Sequence, residues 1–433
     1  MKIYCVVLLI LGSFFMHPSN AQLSKTEKKL VKIIDEQNVE AETLLNDLVN
    51  INSGSMNFEG VKKVGDRLIE EFQKIGMETE WIDGSSFGRA GHLVARQKGT
   101  GPKILLIGHL DTVFELESDF QRATYLNDST LRGPGVCDMK GGDVIILKAL
   151  TAIKKIKKLE DMNIVVVMTG DEELSGSPLD LAREILIEEA KGAAYVLGFE
   201  NGDGNPATAL VSRRGYADWT LKVEGVASHS SQIFSENIGS GAIFETARIL
   251  HAFHDELLGE KYLTYNPGLI LGGTLVDHNE KLKSGYASGK SNVVSKEVIV
   301  TGDIRTISPE QYENIRQKMM DIVHRSFPNT TAGIEFEEGY PSLAPTKGNN
   351  ILLSYYSKAS EDLNLGKVVA VDPMKAGAAD VSFTSGLAPM IIDGLGLSGT
   401  QGHTEMETAD MRFLPVQTKR AAVLIYRLTY QLN

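Results

Sequence analysis

The 433 residues include only two cysteines, Cys5 and Cys137. Cys5 lies in an N-terminal stretch read below as removed, which leaves one thiol. No intramolecular disulfide can then form, so a disulfide-stapled scaffold is excluded. A membrane-spanning run is also missing from the N-terminus: the apolar stretch Cys5 to Met16 is shorter than the about 20 residues that a comfortable transmembrane helix needs. Positive charge is in deficit. The formal net charge of -12 argues against general nucleic-acid binding. No G-x-G-x-x-G follows a first strand, so the dinucleotide-binding fingerprint is absent. The sequence shows no internal repeat and no low-complexity tract.

Residues 1–21 read as a signal peptide. Lys2 supplies the positive start, Cys5 to Met16 the short apolar core, and Ser19-Asn20-Ala21 a small-x-small cleavage site that leaves Gln22 as the mature start. Export to the periplasm or the outside is expected, with no stable membrane insertion. The whole chain is 42% hydrophobic and 23% charged, ordinary for a soluble globular protein. Its length points to two or three domains.

Along the chain, 23–50 and Glu59 to Ile75 read as helical, the latter with Val61, Val64, Leu68, Ile69 and Phe72 on one face. Lys103 to Ile107, Asn163 to Met168 and Ala193 to Phe199 read as strands buried on both faces. They alternate with helices at about Asp143–Ile156 and Leu179–Glu189, which predicts a mixed, mostly parallel α/β sheet flanked by helices. The pattern then changes. Trp219, Leu221 and Val223 alternate with Thr220, Lys222 and Glu224, as in a strand exposed on one face. A helix at Ile238–Leu258, strands near 268–271 and 292–304, a helix at 309–326 and a strand at 332–337 follow. That order is β-α-β-β-α-β, the ferredoxin-like split unit. The expected division is 22–215 for the first part of the main domain, 216–326 for an inserted α+β lid, and 327–433 for the second part.

Thr169-Gly170-Asp171-Glu172-Glu173 closes the most apolar strand. Carboxylates crowded at the mouth of a buried strand raise one another's pKa, and a metal cation relieves this. Adjacent residues in an extended segment point to different sides. One of Glu172 and Glu173 can then bind metal while the other faces the reaction space. A solvated acidic loop is the plain alternative. His109, Asp111, Asp138, Glu172, Glu173 and Glu200 all follow predicted strands or sit in Gly-rich turns. In open α/β sheets, ligands gather at the carboxyl ends of strands. A His and carboxylate set without Cys suits Zn²⁺ or a similar ion. The number of carboxylates favours two metals bridged by a shared one. Cys137, beside Asp138 with no His partner in view, reads as a small buried residue rather than a nucleophile.

GHLDT at 108–112, GPGVCDMKGG at 133–142, TGDEELSG at 169–176, GFE at 198–200, ASHSS at 227–231 and QGHTEMETADM at 401–411 resemble the signatures of the co-catalytic di-zinc exopeptidases. That family includes aminoacylase, succinyl-diaminopimelate desuccinylase, peptidase T and bacterial glutamate carboxypeptidase. The resemblance covers about residues 25–430 and is greatest to the glutamate carboxypeptidase branch. It implies a zinc exopeptidase that cleaves an amide bond next to a free carboxylate of a peptide or N-acyl amino acid. A deacylase or dipeptidase with the same site is the alternative, and a catalytically dead peptide-binding cleft a further one. It assigns His109 and Glu200 to one zinc, Glu173 and His403 to the other, and Asp138 to both. Asp111 would orient His109, and Glu172 would be the general base. His229 would stabilise the oxyanion, in dimeric members across the subunit interface, and Asn292 and Arg305 would bind substrate. A homodimer through the inserted segment is expected. Glu405 and Glu407 are treated as surface or supporting residues. Arg213 and Arg214 read as solvated linker residues, although either could serve a carboxylate pocket.

Overall fold

The computed structural model describes residues 23–432. The expected signal peptide, 1–21, lies outside them. The main sheet has six strands. In spatial order they are Glu78–Asp83, Gly91–Gln97, Asn163–Thr169, Lys103–His109, Tyr195–Gly198 and Ile391–Ile392. The last four are mutually parallel, and Gly91–Gln97 runs antiparallel to both its neighbours. Ile104, Leu105, Leu106, Ile164, Val166 and Val167 are fully buried. Apolar residues on both faces require cover on both faces. Helix Lys140–Lys155 packs between the sheet and the C-terminal helix Phe413–Tyr430, and its Val144, Ile145, Leu147 and Ile153 are in the core.

Two expectations from sequence change. The helical stretch 23–50 is two helices, Lys25–Glu36 and Asn38–Val49. Gln37 breaks it, with its side-chain amide donating to the Lys148 carbonyl at 2.7 Å. Helix Lys140–Lys155 begins at Lys140, not near Asp143, because Gly141 and Gly142 serve close approach rather than a turn. A Cβ on Gly142 would lie 2.1 Å from the Phe199 carbonyl oxygen. The usual helix penalty of glycine is accepted so that this helix start can touch the strand end that leads to Glu200.

A second sheet is wholly antiparallel, in the order Thr264–Gly273, Glu297–Thr306, Gly215–Gly225, Thr330–Glu338. With helices Gly241–Leu257 and Pro309–Val323 it forms the ferredoxin-like α+β unit. Trp219, Leu221, Val223, Phe253, Val300 and Met319 make its separate core. The alternation read from sequence holds: Ala217, Trp219, Leu221 and Val223 face the helices. The fourth strand, Thr330–Glu338, lies beyond the 326 boundary drawn from sequence. It pairs with Gly215–Gly225 along its length, so the chain leaves this sheet only at Gly339. A hairpin, Leu275–Asn279 with Ser284–Ser288, is an addition to the split unit that the sequence pattern did not separate.

Candidate metal centre

Three adjacent parallel strands end on the same edge. His109 closes Lys103–His109, opposite Thr169, which closes Asn163–Thr169. Tyr195–Gly198 lies on the other side, and Glu200 follows it by two residues. The carboxyl ends of these strands therefore deliver His109, the Asp171-Glu172-Glu173 turn and Glu200 to one place. Asp138 arrives from the turn before helix Lys140–Lys155. His403 arrives through a small antiparallel sheet in which Thr408 pairs with Arg132, next to that turn.

The result is two ligand triplets with one member in common. His109, Asp138 and Glu200 form one, and Asp138, Glu173 and His403 the other, with the ligand atoms of each within 4.8 Å of one another. His109 Nε2 lies 3.3 Å from Asp138 Oδ1 and 3.4 Å from Glu200 Oε1. His403 Nε2 lies 3.2 Å from Asp138 Oδ2 and 3.1 Å from Glu173 Oε2. The two Asp138 oxygens thus face opposite imidazoles. His403 has φ 62°, a left-handed backbone that costs a non-glycine residue about 1–3 kcal/mol and clusters at functional sites.

The electrostatics fit a cation. Burial and the neighbouring Glu200 charge push Glu172 well above the usual carboxylate range. Burial raises Glu173 to about 7, against the hydrogen bond from His403. Hydrogen bonds to Asp138 and Glu173 raise His403 to about 11. Burial would lower His109, but Glu200, Asp111 and Asp138 outweigh it and hold its pKa well above the ordinary value. The field that draws protons onto both imidazoles would draw a divalent cation in their place, with proton release on binding. Two imidazoles, three carboxylates and no thiolate suit zinc or a similar ion.

Asp111 does more than the sequence implied. His109 Nδ1 meets the Asp111 carbonyl at 3.1 Å and its carboxylate at 3.4 Å. The carboxylate takes its hydrogen bonds from Ser55 Oγ (2.6 Å) and from the N–H groups of Glu172 (3.0 Å) and Glu173 (3.1 Å). It clamps the acidic turn while contacting the imidazole. Glu172 belongs to neither triplet.

Asn292, Arg305 and His229 lie on the second sheet's unit. Arg305 sits at its hinge end, opposite Tyr216, with Nε donating to Asp303 Oδ2 at 3.1 Å. His229 and Asn292 are exposed together at the far end, where Ser230 N–H donates to the Asn292 carbonyl at 2.9 Å. Arg213 and Arg214 are not solvated: they are 6% and 8% exposed. Arg213 Nε donates to Asp393 Oδ2 at 2.5 Å, and Asp393 Oδ1 accepts from the Glu200 N–H at 3.4 Å. Cys137 is buried, and burial pushes its thiol pKa up, against a nucleophilic role.

Residues 105–427 match peptidase family M20/M25/M40. The chain belongs to that family. It is accordingly a metallo-exopeptidase. It is 25% identical over 402 residues to carboxypeptidase G2 from Pseudomonas sp. (strain RS-16), covering 91% of this chain and 90% of that protein. In fold it is similar to aminopeptidase PepT from Bacillus cereus, with TM-score 0.71, 18% identity, and 90% and 98% of the two chains covered. It is also similar to a Bacillus subtilis protein described as a dinuclear metal binding peptidase from the M20 family, with TM-score 0.62, 17% identity, and 92% and 100% covered.

Sequence reasoning gave Glu407 too little weight. It is fully buried. Its carboxylate accepts from the N–H groups of Gly135 (3.0 Å), Cys137 (2.9 Å) and Asp138 (3.1 Å), so it fixes the turn that aims Asp138, whereas Glu405 is exposed. Three N–H donors in a Gly-rich turn were the available signal. Glu407→Ala should lower metal affinity by roughly 10- to 100-fold, as loss of a group that orients a ligand does. Competition with a chelator of known affinity checks this, and unchanged affinity would contradict it.

Proposed function

We propose that this M20 peptidase is a zinc-dependent carboxypeptidase that releases a C-terminal amino acid from a peptide or N-acyl amino acid. His109 and Glu200 would hold one zinc, Glu173 and His403 the other, and Asp138 would be shared by both. A zinc ion bound there would supply a water of lowered pKa, towards ~7, and Lewis-acid polarisation of the scissile carbonyl. The observation that carries the reading is the split within the acidic turn. Glu173 joins a triplet, while Glu172, pinned through its N–H to Asp111, keeps its carboxylate outside both. A carboxylate whose pKa is raised by burial suits a general base: Glu172 takes the proton of the attacking water and returns it to the leaving nitrogen. Arg305 shares the open face of its sheet with Tyr216, which stacks on Tyr340 beside Glu172. Its terminal guanidinium nitrogens carry no hydrogen bond among the described residues, and they suit a free carboxylate by paired bonds. The similarity to carboxypeptidase G2 supports the same substrate class.

Zinc-loaded enzyme assayed against dipeptides, N-acyl amino acids and folate-type substrates tests the reading, with Glu172→Gln as the control. C-terminal release is expected from peptides and acyl amino acids with a free carboxylate, and not from their amides. Glu172→Gln should keep its metal and lose roughly 10²–10⁴ in kcat. Equal turnover of the amides, or a variant above a tenth of wild-type kcat, contradicts it. Preference for short N-acyl groups or for dipeptides alone would instead mark a deacylase or dipeptidase.

We further propose that His229 serves the site of a second copy. Strand Gly215–Gly225 starts at the hinge and its 11 residues span about 37 Å at ~3.4 Å each. His229 lies beyond its far end, out of reach of its own chain's Glu172. Beside it, Ile243, Phe244 and Ile270 are more than half exposed on helix Gly241–Leu257 and edge strand Thr264–Gly273. An unpaired edge with apolar neighbours suits two-fold pairing. Mixing equal amounts of His229→Ala and Glu172→Gln chains under subunit exchange should restore activity, to about half in each mixed dimer, where one site is intact, and so to about a quarter in the whole mixture. No recovery would place His229 in its own chain's site.

A further inference from the structure

Tyr340 stands where the chain leaves the lid's fourth strand, Thr330–Glu338, for the main body. It belongs to neither ligand triplet, and its ring is 5% exposed. Its hydroxyl donates to the Glu172 carbonyl at 2.9 Å. It accepts from Arg183 Nη2 at 2.5 Å and lies 3.0 Å from Ser175 Oγ. Arg183 is fully buried and fixed by Asp171 Oδ1 (2.7 Å) and Asp380 Oδ1 (2.8 Å). With Arg183 donating to the hydroxyl and the Ser175 hydroxyl able to donate as well, the single Tyr340 proton is available to the Glu172 carbonyl.

The other side of Tyr340 belongs to the lid. Its ring stacks on Tyr216 with centroids 5.9 Å apart and planes 16° apart. The Tyr216 N–H donates to the Tyr340 carbonyl at 3.0 Å, and the Gly339 N–H to the Tyr216 carbonyl at 3.2 Å. Tyr216 is the second residue of the lid's first strand. Both chain crossings between lid and main body thus meet at this one ring. Glu172 is held from two directions, by Asp111 through its N–H and by Tyr340 through its carbonyl. Asp111 ties it to the metal ligands, and Tyr340 ties it to the hinge.

We propose that Tyr340 is a positioning residue that couples the lid hinge to the backbone of Glu172, so that the carboxylate is aimed only when the hinge is in register. The inference rests on the reading of Glu172 as general base. A hydroxyl-to-carbonyl bond fixes the peptide plane from which the Glu172 side chain leaves. Without it the carboxylate can drift by a fraction of an ångström to an ångström, and misplacement on that scale costs up to ~10²-fold in rate.

The test is Tyr340→Phe, which keeps the stacked ring and removes only the hydroxyl. Steady-state kinetics, metal content and thermal unfolding are measured together, with Glu172→Gln and the distant core variant Phe72→Leu in parallel. The expected result is a kcat lower by roughly 10- to 100-fold, an unchanged KM and unchanged metal content. Phe72→Leu, which also loses thermal stability, should keep its kcat. If Glu172→Gln is inactive and Tyr340→Phe has wild-type kcat, the coupling is wrong and the base assignment stands. If Phe72→Leu and Tyr340→Phe lose kcat alike, the effect is general loosening and the coupling is overturned. If Glu172→Gln remains active, the base assignment and the coupling fall together.

Discussion

Like charges held close in a poorly solvated place set the terms for this molecule. Asp138, Glu172, Glu173 and Glu200 converge at the carboxyl ends of parallel strands that are buried on both faces. Burial penalises each ionised carboxylate, and each raises its neighbours' pKa. Such a cluster is stable only with compensating positive charge and hydrogen-bond donors. His109 and His403 supply part of this. The donor set, with one carboxylate between two imidazoles, supplies a place for two cations.

The supporting layer follows the same logic. Asp171, the first acid of the turn, is kept out of the cluster by the buried Arg183, which also binds Asp380. Asp393, behind Glu200, is paired with Arg213. Removal of one partner of a buried pair leaves an uncompensated charge, typically 3–5 kcal/mol. The acidic turn is thus anchored by its ion pair with Arg183 and by the hydrogen bond from Tyr340, which stands at one of the crossings to the lid. A small displacement of the lid can therefore reach the turn through Arg183 and Tyr340 without any long-range field.

What the sequence could show was whatever lies at a strand end. His109, Glu172, Glu173 and Glu200 each follow a run of buried residues in local sequence, and the topology rule for open sheets brings those ends together. Asp138 and His403 sit in Gly-rich turns with recognisable motifs. The helices and strands were found with ends off by a few residues, because Gln37 and the Gly141-Gly142 pair act through tertiary contacts that no local pattern records. The burial of Arg213 and Arg214 was missed for a related reason. Their partners, Asp393 and Gly377 for one and Thr264 and Met374 for the other, lie 50 to 180 residues away. Asp380, Tyr340 and Glu407 share that property. A polar residue's partner is a fact of the fold, whereas an apolar residue's burial is already implied by periodicity.

The central claim is that Asp138 is common to both metal positions, and it has a direct measurement: zinc stoichiometry by calorimetric titration of wild type and Asp138→Asn. Two zinc ions are expected per wild-type chain, and in the variant tight binding should be lost at both positions together, since the shared carboxylate charge is gone. One tightly bound zinc remaining in Asp138→Asn, or a single zinc in the wild type, would contradict it.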